Sequence, residues 1–501
     1  MNNELKQSRD KIDKLDKKIM SNLDERFKVS EQINKIKIEN NIDVVDPARE
    51  NEIIQKIDAY SNRTEIKNVY KQILTESKKL QAKYVLIGKD LRHTYSLFIH
   101  NFFNNYSYGL REHETYETIP NDLLSIGMNI TNPYKKTLIR LCSKLTKEAH
   151  ETGVINVITN TDGQLYGENF DVKAFINQMN FYNIPVENSD CVVLGNGCTS
   201  KSIIYALKLM KANSIVSIVR TKREKDEITF DEIPYNIKAD IIINTTSNEV
   251  YPNFKVDSLI DFDQFLKVKY FIDVNYNPLR SKLFLEASKK DIKCYNGLYM
   301  LVENGRLSES LWQKKLYDIG YSKEITRRLI LNNVNIILIG QTLAGKTTIG
   351  KDLSLLLNKE YIDLDRQIEK RVVLLGDENI KTFRKIEVEE CMAQSTVINK
   401  VIPLGAGAIL NQDNIDILKR NGIIVFIDAK LEKLIERMDN NSRPLLKTNE
   451  QLEKMYNQRQ QLYIDNCDIR ICGLDKLSSF EASQLIREKI YEYIDNQWLQ
   501  S

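Results

Sequence analysis

The stretch IGQTLAGKTTIG (339–350) sets Gly340, Gly345, Lys346 and Thr347 in the spacing G-x-x-x-x-G-K-T. That spacing suits phosphate. Backbone N–H groups from Gly340 to Lys346 can cradle the oxygens, Lys346 can reach the β and γ groups of ATP, and Thr347, with Thr348 beside it, can ligate Mg²⁺. It does not name the acceptor. Downstream, YIDLDRQIEK (361–370) puts two carboxylates, Asp363 and Asp365, at the end of a strand beside the loop. A second glycine turn, VVLGNGCTS (192–200), reads G-x-G-x-x-S through Gly195, Gly197 and Ser200. Alone that is weak, but a strand precedes it and a helix follows, as a dinucleotide site requires. About 20 residues on, SIVRT ends in Arg220 and Thr221. A basic strand end suits the extra phosphate of NADP(H); for Arg220 alone a solvated strand end is the competing reading.

The elements that must position these groups follow from periodicity. Leu5, Ile12, Leu15, Ile19 and Leu23 keep a helical spacing that Ile33 and Ile36 resume, with no Pro or Gly between Arg9 and Asn40. One helix of about 35–40 residues is expected, long for a globular domain. Two shorter helices follow, from about Pro47 to Tyr60 and from Thr64 to Gln81, with Pro47 in a first turn and Asp46 as its N-cap. After Gln81 strands and helices alternate, which argues for α/β architecture.

The chain's 501 residues favour about three domains. A net charge of only +3 gives no sign of a nucleic-acid partner. The seven cysteines are scattered without a C-x-x-C, which fits reduced thiols and no structural zinc. The polar N-terminus is no signal peptide, and no run approaches the ~18 apolar residues of a membrane span. A cytoplasmic protein acting on small molecules, with no membrane partner, is expected. His93, His100, His113 and His150 form no triad.

In the first 82 residues a solvated helix face is the bland reading of the charges. The strings SRDKID, DERFKVSEQINKIK, VDPARENE and SKKLQ, however, closely resemble the all-helical chorismate mutase family. The resemblance implies that Arg9, Arg26 and Arg49 bind carboxylates, that Lys37 and Gln81 donate to the ether oxygen, that Glu50 takes the ring hydroxyl, and that Asp46 and Ser77 complete the shell. Such a site holds a dicarboxylate in a folded conformation and stabilises charge at the breaking bond. Arg9 and Lys37 would then lie about 42 Å apart along one helix, too far to grip one ligand. Arg9 should serve a site built by another protomer, which predicts an intertwined homodimer through the N-terminal helices.

Residues 83–328, with a nucleotide-binding part at about 188–290, contain IGKDLRHTYSLFIHNFF, GMNITNPYKK, GVINV, GENFDVKAF, INTTSN, DVNYNP and NGLYMLV in order. They resemble shikimate dehydrogenase, with a Rossmann-type NADP subdomain. The resemblance implies Lys135 and Asp171 as the catalytic pair, Thr94 and Ser96 on the substrate carboxylate, Thr131 and Asn156 on ring hydroxyls, and further roles for Tyr276 and Gly297. There are departures. Thr94 replaces a Ser, Ser96-Leu97 a Ser-Pro, Asn169-Phe170-Asp171-Val172 an Asn-Thr-Asp-Gly, and Asn304 a substrate-binding Gln. A slow, altered or scaffolding dehydrogenase is therefore the alternative reading.

Residues 329–501 add TFRKIE, PLGAGA, NSRPLL and YNQRQQLY to the phosphate loop. Together these resemble shikimate kinase, an α/β P-loop fold of the nucleoside-monophosphate-kinase type. By position, Asp365 orients the attacking hydroxyl, Arg384 and Arg459 clamp the carboxylate, Asp363 sits near the metal, and Arg443 on a lid stabilises the transferring group. The family's triple-glycine turn is Gly405-Ala406-Gly407 here. Another small-molecule kinase of this fold, such as a gluconate kinase, is the runner-up. The multidomain whole is expected to be a trifunctional enzyme of aromatic biosynthesis, its dehydrogenase and kinase performing consecutive steps.

Overall fold

A computed structural model describes residues 3–39, 47–60, 63–80, 82–92, 94–103, 108–122, 125–247, 258–375, 380–438 and 448–499. Contacts group the chain into two compact units. One comprises residues 1–175, 201–206 and 302–321; the other comprises 176–200, 207–301 and 322–501.

The first unit opens with a single helix, Asn3–Glu39, of 37 residues, followed by Pro47–Lys56 and Arg63–Leu80. No helix breaker interrupts the first, so it runs about 55 Å. Leu5, Ile12, Leu15 and Ile19 along it are each about half exposed. A six-stranded mixed sheet comes next, in the order Tyr108–Glu112, Tyr84–Gly88, Gly127–Ile130, Val157–Thr161, Gln164–Glu168 and Lys144–Leu145. Its core is built by Val85, Ile87, Met128, Ile130 and Ile158.

The second unit holds two large all-parallel sheets, whose central strands are nearly continuous apolar runs because both faces are covered. In the first, the strand order is Lys293–Asn296, Tyr270–Asp273, Ile241–Asn244, Asp190–Leu194, Ser214–Val219 and Ile228–Thr229. Chain order reverses between Asp190–Leu194 and Ile241–Asn244, so a ligand crevice opens at their carboxyl ends. The second sheet runs Glu360–Tyr361, Lys400–Pro403, Asn335–Ile339, Gly422–Asp428 and Ile469–Cys472, with every residue of the central strand buried. Lys359 buries its ammonium on the carbonyls of Leu331 and Val334 and on Asn399 Oδ1, tying the end of helix Ile319–Asn333 to this sheet. The α-helical, dinucleotide-fold and P-loop architectures expected from the sequence are all present. No helix among the described residues is long and apolar enough to cross a membrane.

Candidate active sites

The phosphate loop leaves central strand Asn335–Ile339 and enters helix Lys346–Leu357. Gly340 and Gly345 take φ of 148° and 93°. That left-handed geometry turns successive N–H groups toward one concavity at a helix N-terminus. Lys346 Nζ donates to the carbonyls of Gly340 and Gln341 at 2.8 and 2.9 Å, folded over its own loop. Burial, then the nearby Asp363 carboxylate, pushes the Tyr361 phenol up to about 12, and no hydrogen-bond partner among the described residues meets its hydroxyl. Thr347 stands in the first turn of helix Lys346–Leu357 and Asp363 follows strand Glu360–Tyr361; their oxygens are hard donors of the kind Mg²⁺ takes.

Opposite this, three side chains converge on the turn Gly405-Ala406-Gly407. Asp365 lies where a Cβ on Gly405 would go, and the Arg384 guanidinium where one on Gly407 would go. Arg459 Nη1 donates to the Ala406 carbonyl at 3.1 Å. Glu387, which sequence reasoning missed, accepts from Arg384 Nη1 with both oxygens at 2.9 and 2.8 Å, and fixes the fork's direction. Its i, i+3 spacing from Arg384 inside TFRKIE was the available signal. Also missed was a cavity of about 200 Å³ beside the loop, with Leu343, Ala429, Leu474 and Leu477 on its apolar side and Arg437 and Asp475 at its polar edge. It suits a flat base attached to the phosphates.

In the first unit, Lys135 Nζ donates to Asp171 Oδ2 at 2.6 Å, both side chains nearly buried. Asp171 Oδ1 accepts from Asn156 Nδ2 at 2.9 Å and from Asn304 Nδ2 at 3.1 Å. Asn156 Nδ2 also reaches Asn304 Oδ1, while its own Oδ1 accepts from the Phe170 N–H. Asp171 stands in the first turn of helix Phe170–Phe181, whose dipole favours the carboxylate. Thr94 Oγ1 donates to Ser96 Oγ at 2.9 Å, and the Thr131 methyl lies against Gly88.

At the switch point of the other sheet, Gly195 takes φ 106°, and a Cβ there would meet Thr245 Oγ1. Ser200 Oγ accepts from Gly197 N–H at 3.1 Å and bonds Thr245 Oγ1 at 2.6 Å. Arg220 and Thr221 are exposed at the end of strand Ser214–Val219, followed by exposed Lys222 and Arg223. Asn196 donates to the Thr221 carbonyl and to buried Glu227, which holds this basic turn against the glycine loop. A Cβ on Gly297 would strike the Val274 backbone, so only glycine fits there.

Asp273, buried in this crevice, is raised to about 6 by burial, against hydrogen bonds from Ser281, Asn275 and Asn244. A raised carboxyl stabilises the fold in full below its unfolded range, and that contribution is lost as pH rises through the folded value. The thermal midpoint should therefore gain from acidification between about pH 7 and 5. Asp273→Asn should flatten that part of the profile, as calorimetry of both proteins would show.

In the helical segment, Arg26 Nη1 donates to Ser77 Oγ, which itself bonds the Ile73 carbonyl. Arg9 and Arg49 are exposed, Arg49 pairing with Glu52 at 2.7 Å. Asp46, Gln81 and Arg443 lie outside the described residues, and of Lys37 and Glu50 only the helical backbone is described.

Comparison with known proteins finds relatives for each part of the chain. The family model for chorismate mutase type II matches residues 8–82, and that for shikimate kinase matches residues 343–494. A shikimate dehydrogenase (NADP(+)) from Caldicellulosiruptor bescii is 34% identical over 256 residues, covering 46% of this chain and 88% of that protein. The chain belongs to the shikimate dehydrogenase family. A shikimate dehydrogenase (NADP(+)) from Clostridium botulinum is 32% identical over 246 residues, or 45% of this chain and 95% of that one. Among solved structures, a chorismate mutase/shikimate 5-dehydrogenase fusion protein from Clostridium acetobutylicum aligns with TM-score 0.46 at 28% identity, over 49% of this chain and 96% of that one.

With mutase and kinase families matched on either side, the chain is a multifunctional enzyme, a trifunctional fusion. Its shikimate dehydrogenase part keeps a closed Lys–Asp network despite the altered motifs. Asn304, one methylene shorter than the expected Gln, bonds Asp171 directly. A dehydrogenase reduced to scaffold is not favoured.

Proposed function

We propose that the three parts act on small carboxylated rings. The mutase part rearranges chorismate to prephenate. The dehydrogenase part reduces 3-dehydroshikimate to shikimate with NADPH. The kinase part phosphorylates the shikimate 3-hydroxyl from ATP with Mg²⁺. The observation that carries the reading is the convergence of Asp365, Arg384 and Arg459 on the Gly405–Gly407 turn. Two guanidinium forks beside one carboxylate suit a ring bearing both a carboxylate and a hydroxyl. Arg384 and Arg459 grip the ring carboxylate, Asp365 orients the hydroxyl, and Lys346 leaves the Gly340 and Gln341 carbonyls to meet the phosphates.

In the dehydrogenase part NADPH supplies the hydride. Lys135 hands a proton to the oxygen that becomes a hydroxyl, and Asp171 holds Lys135 in place. Thr94 and Ser96 take the substrate carboxylate, Asn156 and Thr131 the ring hydroxyls, and Asn304 completes the substrate contacts. Gly195, Gly197, Ser200, Arg220, Thr221 and Gly297 serve the cofactor. Parts 1–82, 83–328 and 329–501 divide the labour in a cytoplasmic enzyme.

The mutase part works as a homodimer. Arg9 and Arg26 are 17 residues apart on one continuous helix, about 25 Å. Arg9 cannot join the Arg26–Ser77 site of its own chain. The apolar stripe Leu5, Ile12, Leu15 and Ile19 is exposed in the single chain and supports a covering partner. Chains carrying Arg9→Ala and Arg26→Ala should each lack mutase activity. Mixed after co-refolding, they should recover about a quarter of the wild-type rate, because half the dimers are mixed and each mixed dimer has one intact site. Absence of recovery, with mixed dimers shown by mass spectrometry, would contradict the shared site. The overall reading is tested by assaying all three substrates on the purified chain.

A further inference from the structure

Two residues of the dehydrogenase sequence are sunk into the kinase fold. Leu279 N–H donates to Asn421 Oδ1 at 3.0 Å, and Arg280 N–H to the Arg420 carbonyl at 2.9 Å. The Arg280 guanidinium then spreads over the Lys419 carbonyl, the Gly422 carbonyl and Asp468, its Nη1 lying 2.8 Å from Asp468 Oδ1. Arg280 is 6% exposed. Asp468 also receives the Ile424 N–H and the Tyr493 hydroxyl, so the ion pair is anchored on the kinase side by two further donors. Tyr182 closes the rim by donating to the Trp498 carbonyl, and the Trp498 ring faces the Arg280 guanidinium. A buried pair with this many partners is sensitive to removal of either member, because the other is left charged and desolvated.

The loop that carries Leu279 and Arg280 is also a wall of the nucleotide crevice. It leaves strand Tyr270–Asp273, and its Asn275 donates to Asp273 and to the Thr246 carbonyl at 2.8 Å each. The Asn275 carbonyl accepts from Gly297 N–H at 3.0 Å, and the Leu279 carbonyl accepts from Asn296 Nδ2 at 3.0 Å. Asn244, at the switch point, donates to the same Asp273 carboxylate. One short segment, 275–281, therefore bonds the crevice at one end and the kinase at the other.

The kinase end it bonds is the inert one. Lys419–Gly422 and Asp468 precede strands Gly422–Asp428 and Ile469–Cys472, whereas the base cavity and phosphate loop lie at the carboxyl ends of the sheet. A strand of 7 residues separates the two ends, about 23 Å.

We propose that the kinase fold is a buttress for the dehydrogenase cofactor site, with Arg280 and Asn421 as positioning residues that set segment 275–281. The buttress rests on the reading that the Gly195–Ser200 crevice takes NADPH. It makes NADPH affinity depend on residues of the kinase sequence, while kinase turnover, run from the far ends of the strands, does not depend on segment 275–281.

The test uses the full chain and fluorescence titration with NADPH. Asn421→Ala removes the acceptor of the Leu279 N–H and should weaken NADPH binding by about fivefold, while Asn421→Asp, which keeps an acceptor, should restore it. Arg280→Met should weaken it further. In Asn421→Ala the KM values for ATP and shikimate should stay as in the wild type. Binding by the wild-type chain, measured alongside, reads the cofactor assignment itself. Wild-type NADPH affinity in folded Asn421→Ala overturns the buttress, whether or not Arg280→Met folds. So does a loss that Asn421→Asp fails to restore.

Discussion

Lys346→Ala should lower phosphoryl transfer to shikimate by about three orders of magnitude in kcat. Mutase and dehydrogenase rates should stay within about twofold of wild type, because Lys346 bonds the carbonyls of its own loop. The size follows from the work one ammonium does. On the proposed reading it is the cation that follows the negative charge of the β and γ phosphates into the transition state. Lys346 rests on two backbone carbonyls of its own loop, and phosphate oxygens can replace those neutral acceptors with charged ones. Lys346→Arg should recover little, since a broad planar fork does not fit a cradle shaped around a point charge. Release of ADP with shikimate, followed in all three proteins, is the measurement. A Lys346→Ala chain that keeps more than about a tenth of the rate would mean that the loop N–H groups suffice and that the acceptor clamp does more than assigned.

What the sequence revealed and what it hid separate along a physical line. The long first helix was legible because helical periodicity and absence of breakers are local properties, and Asn3–Glu39 is the result. The glycines at 340, 345 and 195 were legible because a left-handed backbone costs other residues steric strain, and all three have positive φ. Leu343 takes φ 67° in the same loop, and nothing in a leucine announces that. The base cavity was hidden for another reason. Arg437, Asp475 and Leu343 belong to three stretches far apart in the chain, and only the strand order of the sheet brings them to one wall. Arg280 and Asp468 were hidden most completely. Each is a lone charge that in sequence reads as a solvated surface group, and their 188-residue separation carries no periodicity to connect them. Asn304 was legible as a departure but not in its consequence. Read as standing in for a substrate-binding Gln, it is seen in the structure as an added donor to Asp171.

That added donor bears on the second large effect, expected at Lys135. Lys135→Ala should lower the reduction of 3-dehydroshikimate by about 10³ in kcat, with NADPH affinity unchanged. On the proposed reading the cofactor contacts belong to a different sheet, whereas the new hydroxyl takes its proton from Lys135 Nζ. Asp171 is expected to matter less. Its Oδ1 is occupied by Asn156 and Asn304 and its Oδ2 by Lys135, so the carboxylate is a fixed acceptor that aims the lysine. Asp171→Asn keeps the shape but turns an amide against the ammonium, and a loss of about 10² is expected. Lys135→Arg separates charge from proton transfer: it retains the cation and the pair with Asp171 but holds its proton at any accessible pH, so it should remain near the alanine variant. If the arginine variant instead recovered most of the rate, Lys135 would be acting through charge alone. The proton would then have to reach the substrate oxygen from water, which the buried Lys135–Asp171 pair, with side chains 11% and 6% exposed, is poorly placed to admit.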